Sequence, residues 1–92
     1  MLDVKNAIKA AMNFFDELFP KNDFKDILLE EVEFSEDRDS WFVTIGFSRR
    51  ATEETSSYAR LTQSEFVRVY KVFEVSAING SVKSMKVRNQ NA

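Results

Sequence analysis

The first nineteen residues carry apolar side chains at intervals of three and four, which is the spacing of one face of an α-helix. Asp3 stands where its side chain can accept a hydrogen bond from a free amide of the first turn. Pro20 disfavours helical geometry at the residue before it. The pattern therefore predicts a helix over residues 3–19. Its apolar stripe consists of Val4, Ile8, Ala11, Met12, Phe15, Leu18 and Phe19.

From Ile27 onward the apolar spacing shortens to two residues, the period of a β-strand. Residues 28–34 and 41–48 are predicted to form an antiparallel hairpin around the turn 35–40. One register separates apolar from polar positions well, and a shift of one residue would reverse the faces. It directs Phe34, Val32, Glu30 and Leu28 toward the helix, opposite Trp41, Val43, Ile45 and Phe47 respectively.

A second hairpin is predicted from residues 67–77 and 81–88, which flank the turn signal Asn-Gly at 79–80. A two-residue turn would set Phe73 opposite a lysine. A three-residue turn with the glycine in the left-handed conformation sets Phe73 opposite Met85 instead. Because it matches apolar to apolar, the three-residue turn is favoured.

The predicted fold class is α+β, with a single domain over residues 1–92. An N-terminal helix packs on a four-stranded antiparallel β-meander to give a two-layer sandwich. A long polar loop, at about 49–65, joins the hairpins. It is either a plain connection or a recognition element in which Tyr58 and Leu61 share one face of a short helix.

Three parts of the chain resemble the small PepSY-like domains of bacteria. They are the helical pattern A-x-x-A-A, the stretch LLEEVEFSEDRDSWFVTIGF and the stretch YKVFEVSAINGSVKSMKV. The resemblance implies a binding module that restrains proteases, usually outside the cytoplasm, and it implies no catalytic residue. The positions that match in the last stretch are Tyr70, Val72, Val75, Gly80 and Val82.

The N-terminus departs from that family, because no basic region followed by an apolar run precedes the helix. The apolar stretches are also shorter than the roughly 20 residues of a membrane-spanning helix. The sequence therefore predicts a cytoplasmic protein.

The amino-acid composition excludes several kinds of catalytic and metal-binding site. The chain has no cysteine and no histidine, so thiolate nucleophiles, histidine-dependent triads and the usual zinc ligands are excluded. Its two glycines form no phosphate-binding loop. The stretch EDRD, residues 36–39, offers oxygen atoms to calcium but also suits a hairpin turn. We therefore expect a protein without catalytic activity, cofactor or metal.

The net charge is −2, but the first half of the chain is acidic and the second half is basic. This asymmetry belongs either to two ordinary solvated faces or to surfaces that attract a partner or pair two copies head to tail.

The candidate partner-binding residues lie on the sheet face turned away from the helix. Phe42, Tyr70 and Val72 are predicted to form a small apolar patch beside Arg68, and Tyr58 of the loop adds to it. The sequence therefore predicts a protein-binding or regulatory module, of an inhibitor or immunity-like class, whose partner is another protein or a second copy of the chain.

Three further hypotheses concern other sites. Glu30 and Lys71 break the apolar alternation and are expected either to form a shielded ion pair beneath the helix or to reach past its end into water.

A small-ligand pocket between helix and sheet would be lined by Phe15, Phe19, Trp41 and Phe73. Nucleic-acid binding is less favoured and would use Tyr70 with Arg68, Lys83, Lys86 and Arg88.

Overall fold

The computed structural model of the chain describes residues 1–19, 24–50 and 66–88. One helix is followed by four strands, and the strands form an antiparallel sheet in the order β1-β2-β3-β4. The predicted α+β fold is therefore confirmed. The elements are α1 (Val4–Leu18), β1 (Lys25–Ser35), β2 (Ser40–Arg50), β3 (Phe66–Ser76) and β4 (Val82–Val87).

Helix α1 begins and ends close to the predicted residues. The side chain of Asp3 accepts a hydrogen bond of 2.9 Å from the amide of Asn6, which caps the N-terminus. Ala7, Ala11 and Phe15 are the buried residues of the helix. The two alanines leave room for the helix backbone to approach the sheet, so the third residue, a phenylalanine, can fill the centre of the core.

Phe15 organises the space between helix and sheet. Its ring lies 5.2 Å from that of Phe47 on β2 and 6.4 Å from that of Phe73 on β3, centroid to centroid. Phe15 and Phe73 have no exposed surface, so these side chains fill the space that the predicted ligand pocket would need. Val43 and Ile45 are equally buried. The inward direction of these β2 side chains is therefore confirmed.

Trp41 lies at the edge of this core and is only partly buried. Its indole N–H donates a hydrogen bond of 3.0 Å to the carbonyl of Leu2, and the amide of Leu2 donates to the carbonyl of Ala77. The residues before α1 are thus tied to the same end of the sheet as both hairpin turns.

The first hairpin keeps the predicted register near its turn and loses it farther away. Val32 pairs with Val43 as predicted, but a β-bulge follows between Leu29 and Glu31. Beyond it Leu29, rather than Glu30, lies opposite Ile45. The prediction that Glu30 and Leu28 face the helix is therefore wrong, because the extra residue of a bulge reverses the faces of the strand beyond it.

The second hairpin has the predicted pairing of Phe73 with Met85. Gly80 adopts the left-handed conformation, with φ +77. The register shifts between Glu74 and Val75, so Val75 pairs with Val82 and the amide of Ser76 donates to the carbonyl of Ser81. The prediction of a three-residue turn is therefore wrong, because this shift leaves the four residues 77–80 between the strands. The amide of Gly80 donates a hydrogen bond of 2.9 Å to the carbonyl of Ser76, which closes the turn.

Candidate binding site on the open sheet face

The sheet has a face that α1 does not cover, and we call it the open face. Phe42 and Val72 lie on it as diagonal neighbours of β2 and β3, and Tyr70 precedes Val72 by two residues along β3. All three are partly buried, whereas Leu28, opposite Gly46 beyond the bulge, is 55% exposed. We call Leu28, Phe42, Tyr70 and Val72 the apolar strip. The structure thus brings together the predicted patch, and the bulge adds Leu28 to it.

Arg68, the fourth predicted residue of this surface, lies beside Tyr70 and is held by several groups. It forms a 2.8 Å ion pair with Glu30 and donates a 2.6 Å hydrogen bond to the carbonyl of Asp26. Its guanidinium also lies 5.9 Å from the centre of the Tyr70 ring. Burial alone would lower the pKa of Arg68, but its hydrogen bonds to Glu30 and Tyr70 outweigh burial and raise the pKa.

The predicted ion pair of Glu30 with Lys71 is wrong, because the two side chains lie on opposite faces of the sheet. The bulge directs Glu30 to Arg68 on the open face, while Lys71 pairs with the buried Ile45 on the helix side. Glu30 extends across Gly46, where an added Cβ would lie 2.5 Å from a carboxylate oxygen. The absence of a side chain at residue 46 therefore allows this ion pair.

A second ion-pair cluster joins the first hairpin turn to β3. The Nε and Nη2 atoms of Arg38 each donate a 3.0 Å hydrogen bond to the carboxylate of Glu74. Lys83 of β4 lies 3.2 Å from the same carboxylate, and Glu74 is only 4% exposed. The hydrogen bonds of Arg38, with smaller contributions from Ser40 and Lys83, oppose the effect of burial and lower the pKa of Glu74 from 4.5 to about 2.

This cluster gives the stretch EDRD a structural role in the turn. Asp39 adopts φ +47, and the hydroxyl of Ser40 donates a 3.0 Å hydrogen bond to the carbonyl of Arg38. Across the described ranges, no group of three or more acidic side chains is arranged to hold a metal ion.

A third ion pair crosses the open face. Arg88, just after β4, lies 3.2 Å from Glu31 of β1, and its amide donates to the carbonyl of Tyr70. Since β1 and β4 are separated by two strands, the paired side chains must pass over the centre of the face. Thr44 lies there and is only 2% exposed, although α1 does not cover it.

Along the two edge strands of the open face most charges are separated by sign, with Lys25 at the start of β1 as the exception. Glu30, Glu31 and Glu33 lie along β1, whereas Lys83, Lys86 and Arg88 lie along or just after β4. Three of the four cations predicted for nucleic-acid binding, Arg68 among them, are paired with glutamates. That pairing disfavours a polyanionic ligand, because each contact with a phosphate would compete with a carboxylate already in place.

The sequence does not point directly to these ion pairs. Arg38 and Glu74 are distant along the chain, and only the polar Glu74 within an apolar strand gives a local signal. The bulge does leave a trace, because Leu28-Leu29 and Glu30-Glu31 interrupt the strict alternation of apolar and polar residues.

The predicted recognition element within loop 49–65, including Tyr58, lies outside the described residues apart from Arg49 and Arg50. Within the described part of the chain, no helix has the length and apolar character needed to cross a membrane. Comparison of the chain with protein-family models, curated proteins and solved structures finds no match.

Proposed function

We propose that the chain is a non-catalytic protein-binding module that acts through its open face, and that a second copy of the chain is the partner this face fits best. One observation carries the proposal: Glu33 on β1 and Lys86 on β4, which have no ion pair among the described residues, lie on opposite edges of the open face with the apolar strip between them. A surface with this arrangement is complementary to itself.

The strand order decides which symmetric arrangement is favourable. A two-fold axis parallel to the strands would lay β1 of one copy against β4 of the other, so acidic and basic edges would meet twice. An axis perpendicular to the strands would place β1 on β1 and bring like charges together. Two-fold symmetry is the commonest symmetry of protein dimers, and it repeats every favourable contact.

The expected complex is weak. Three strand spacings and about eight residues of strand length give a flat area of roughly 15 by 25 Å, or about 400 Å² per copy. This is below the roughly 800 Å² per partner of a standard stable interface. The apolar strip supplies a small aromatic centre, and the charged edges supply orientation and specificity rather than affinity.

A charge exchange tests the proposal without removing any of the ion pairs within the chain. Glu33 and Lys86 lie on opposite edges of the open face, and neither has an ion pair or side-chain hydrogen bond among the residues that the structure describes. We expect Glu33→Lys and Lys86→Glu each to prevent dimerisation, and an equimolar mixture of the two variants to form a heterodimer. Sedimentation velocity at high protein concentration measures all three samples.

The matched control for Lys86→Glu is Lys9→Glu, which makes the same charge change on the exposed side of α1. It should dimerise as the original chain does. A chain that stays monomeric at about 1 mM, or a mixture that dimerises no better than the single variants, would contradict a second copy as the partner.

The regulatory role of inhibitor or immunity-like type, the PepSY-like relationship and the cytoplasmic location all stay predictions. Each agrees with a small module that binds another protein, and the open face is the surface we assign to that binding.

A further inference from the structure

A cleft of about 360 Å³ lies beside the end of α1, on the helix side of the sheet. Its apolar wall consists of Phe19, Phe24 and Phe47, together with Val69. Phe24 and Phe47 stack with their ring centres 4.4 Å apart, which gives the wall a flat surface. We call this space the basic cleft, because every charged residue that lines it within the described ranges is a lysine or an arginine.

The four cations of the basic cleft differ in what they already bind. Arg68 and Arg88 are paired with Glu30 and Glu31 on the open face. Arg49 and Lys71, in contrast, have no ion pair or side-chain hydrogen bond to any residue in the described ranges. The Nε atom of Arg49 is buried and has no hydrogen-bond partner among the residues that the structure describes. A buried N–H group without an acceptor is unfavourable, and a bound anion would supply one.

The sheet register places Arg49 and Lys71 on either side of an apolar pair. Phe47 pairs with Val69, Lys71 lies opposite Ile45, and Arg49 lies opposite Val67. Arg49 and Lys71 thus flank the Phe47–Val69 pair along the strands and share its face. Two positive groups above an apolar floor can hold an anionic head, while the aromatic wall contacts an attached hydrocarbon group.

We propose that the basic cleft binds a small amphiphilic anion, namely a carboxylate or a phosphate monoester that carries a short apolar tail. Arg49 and Lys71 bind the head, and the wall of Phe19, Phe24 and Phe47 receives the tail. The volume is at the lower end of the range for small-molecule sites, which excludes large ligands such as a folded peptide.

Titrations of the whole chain, followed through its amide NMR spectrum, test the site with defined probes. Octanoate and octyl phosphate carry both parts of the ligand. Acetate and inorganic phosphate carry the head alone, and octylamine carries the same tail with the opposite charge. We expect saturable shifts at Phe47, Val69 and their neighbours with the first two probes, and at least about tenfold weaker binding of the other three.

Whichever of octanoate and octyl phosphate binds more tightly shows whether the cleft prefers a carboxylate or a phosphate head. If octylamine binds as well as octanoate, the apolar wall alone causes the binding and the proposal is wrong. Shifts that do not saturate, or that are spread over the whole surface, would overturn it equally.

Arg49→Gln and Lys71→Gln test the two cations separately. Each should weaken octanoate binding by about tenfold, since each removes one charge-assisted contact, while the dispersed spectrum of the folded chain is retained. Lys9→Gln removes one positive charge from the exposed side of α1 and should leave the affinity unchanged. If all three variants bind octanoate with equal affinity, Arg49 and Lys71 do not bind the anionic head.

Discussion

The helix-side face and the open face alternate along the same four strands, yet they hold different kinds of contact. On the helix side, rings and aliphatic groups such as Phe47 and Phe73 are buried against α1. On the open face, charged side chains cover the backbone, and Thr44 and Glu74 are nearly as inaccessible as the core. Among the described residues, burial on the open face accompanies ion pairs between strands rather than a second layer of structure.

Because their contacts differ, the two faces of the sheet should contribute differently to stability and to binding. Contacts of the core are non-directional, and the free energy that they contribute grows in proportion to the apolar area removed from water. Ion pairs of the open face fix the positions of side chains but contribute less free energy, because each charge must first lose water. The open face is therefore suited to present an ordered charged surface to a partner.

The largest difference should appear between two phenylalanines, one from each face. We expect Phe15→Ala to lower the free energy of unfolding by about 3–5 kcal/mol, because it empties the centre of the core. Phe42→Ala, on the open face, should cost about 1 kcal/mol, since this side chain is only partly buried. Urea unfolding followed by circular dichroism measures both. Equal costs would contradict the division into a core face and an open face.

The next effect concerns the most buried charge of the open face. Glu74→Gln should lower the free energy of unfolding by roughly 1–3 kcal/mol at neutral pH, because Arg38 and Lys83 lose their common carboxylate. Glu33→Gln is the matched control, and it should change stability by less than about 0.5 kcal/mol. If Glu33→Gln lowers the free energy of unfolding as much as Glu74→Gln does, the loss comes from the change in net charge and not from the ion-pair cluster around Glu74.

The pH dependence of that difference has a defined sign. The pKa of Glu74 is lowered from 4.5 to about 2 in the folded chain, so the unfolded chain binds the proton more readily. The stabilisation by Glu74 is therefore complete above pH 4.5 and is lost as the pH falls toward about 2. The stability difference between the original chain and Glu74→Gln should disappear over this interval. A difference that persists at the acidic end would contradict the assigned ion pairs.

The smallest effect is expected at Gly46. Gly46→Ala introduces a Cβ where the Glu30 carboxylate lies, so Glu30 must move away from Arg68, at a cost of about 0.5–1 kcal/mol. In a Glu30→Ala background the same substitution should cost less, because no carboxylate remains in its way. A double-mutant cycle measures this coupling, and independent costs would show that Glu30 does not rest over Gly46.

The features that the sequence predicts well are those with a local period. The alternation from Trp41 to Phe47 defines the inward face of β2. The predicted stripe of α1 is right only in part, because Val4 and Leu18 are exposed and the buried Ala7 lies outside the stripe. The bulge near Glu30 is absent from the prediction because a strict period of two was applied to β1, although the like pairs 28–29 and 30–31 interrupt that period. The bulge in β1 exposes Leu28 and directs Glu30 toward Arg68.

The binding surface was predicted only in part for a related reason. Phe42, Tyr70 and Val72 meet because adjacent strands share a register, which the hairpin pattern predicts. The ion pairs join residues that are distant along the chain, such as Glu31 and Arg88, and no local pattern records which charges will meet across two strands. The basic cleft was missed for the same reason, since Arg49 and Lys71 become neighbours of one cavity only after the sheet forms.

The most direct test of the self-complementary open face is isotope-filtered NMR on a mixture of labelled and unlabelled chain, at a protein concentration of about 1 mM. Contacts between copies should join side chains of β1 with those of β4, and should include Phe42 and Val72 near the symmetry axis. Contacts confined to α1, or no contact between copies at all, would contradict the account.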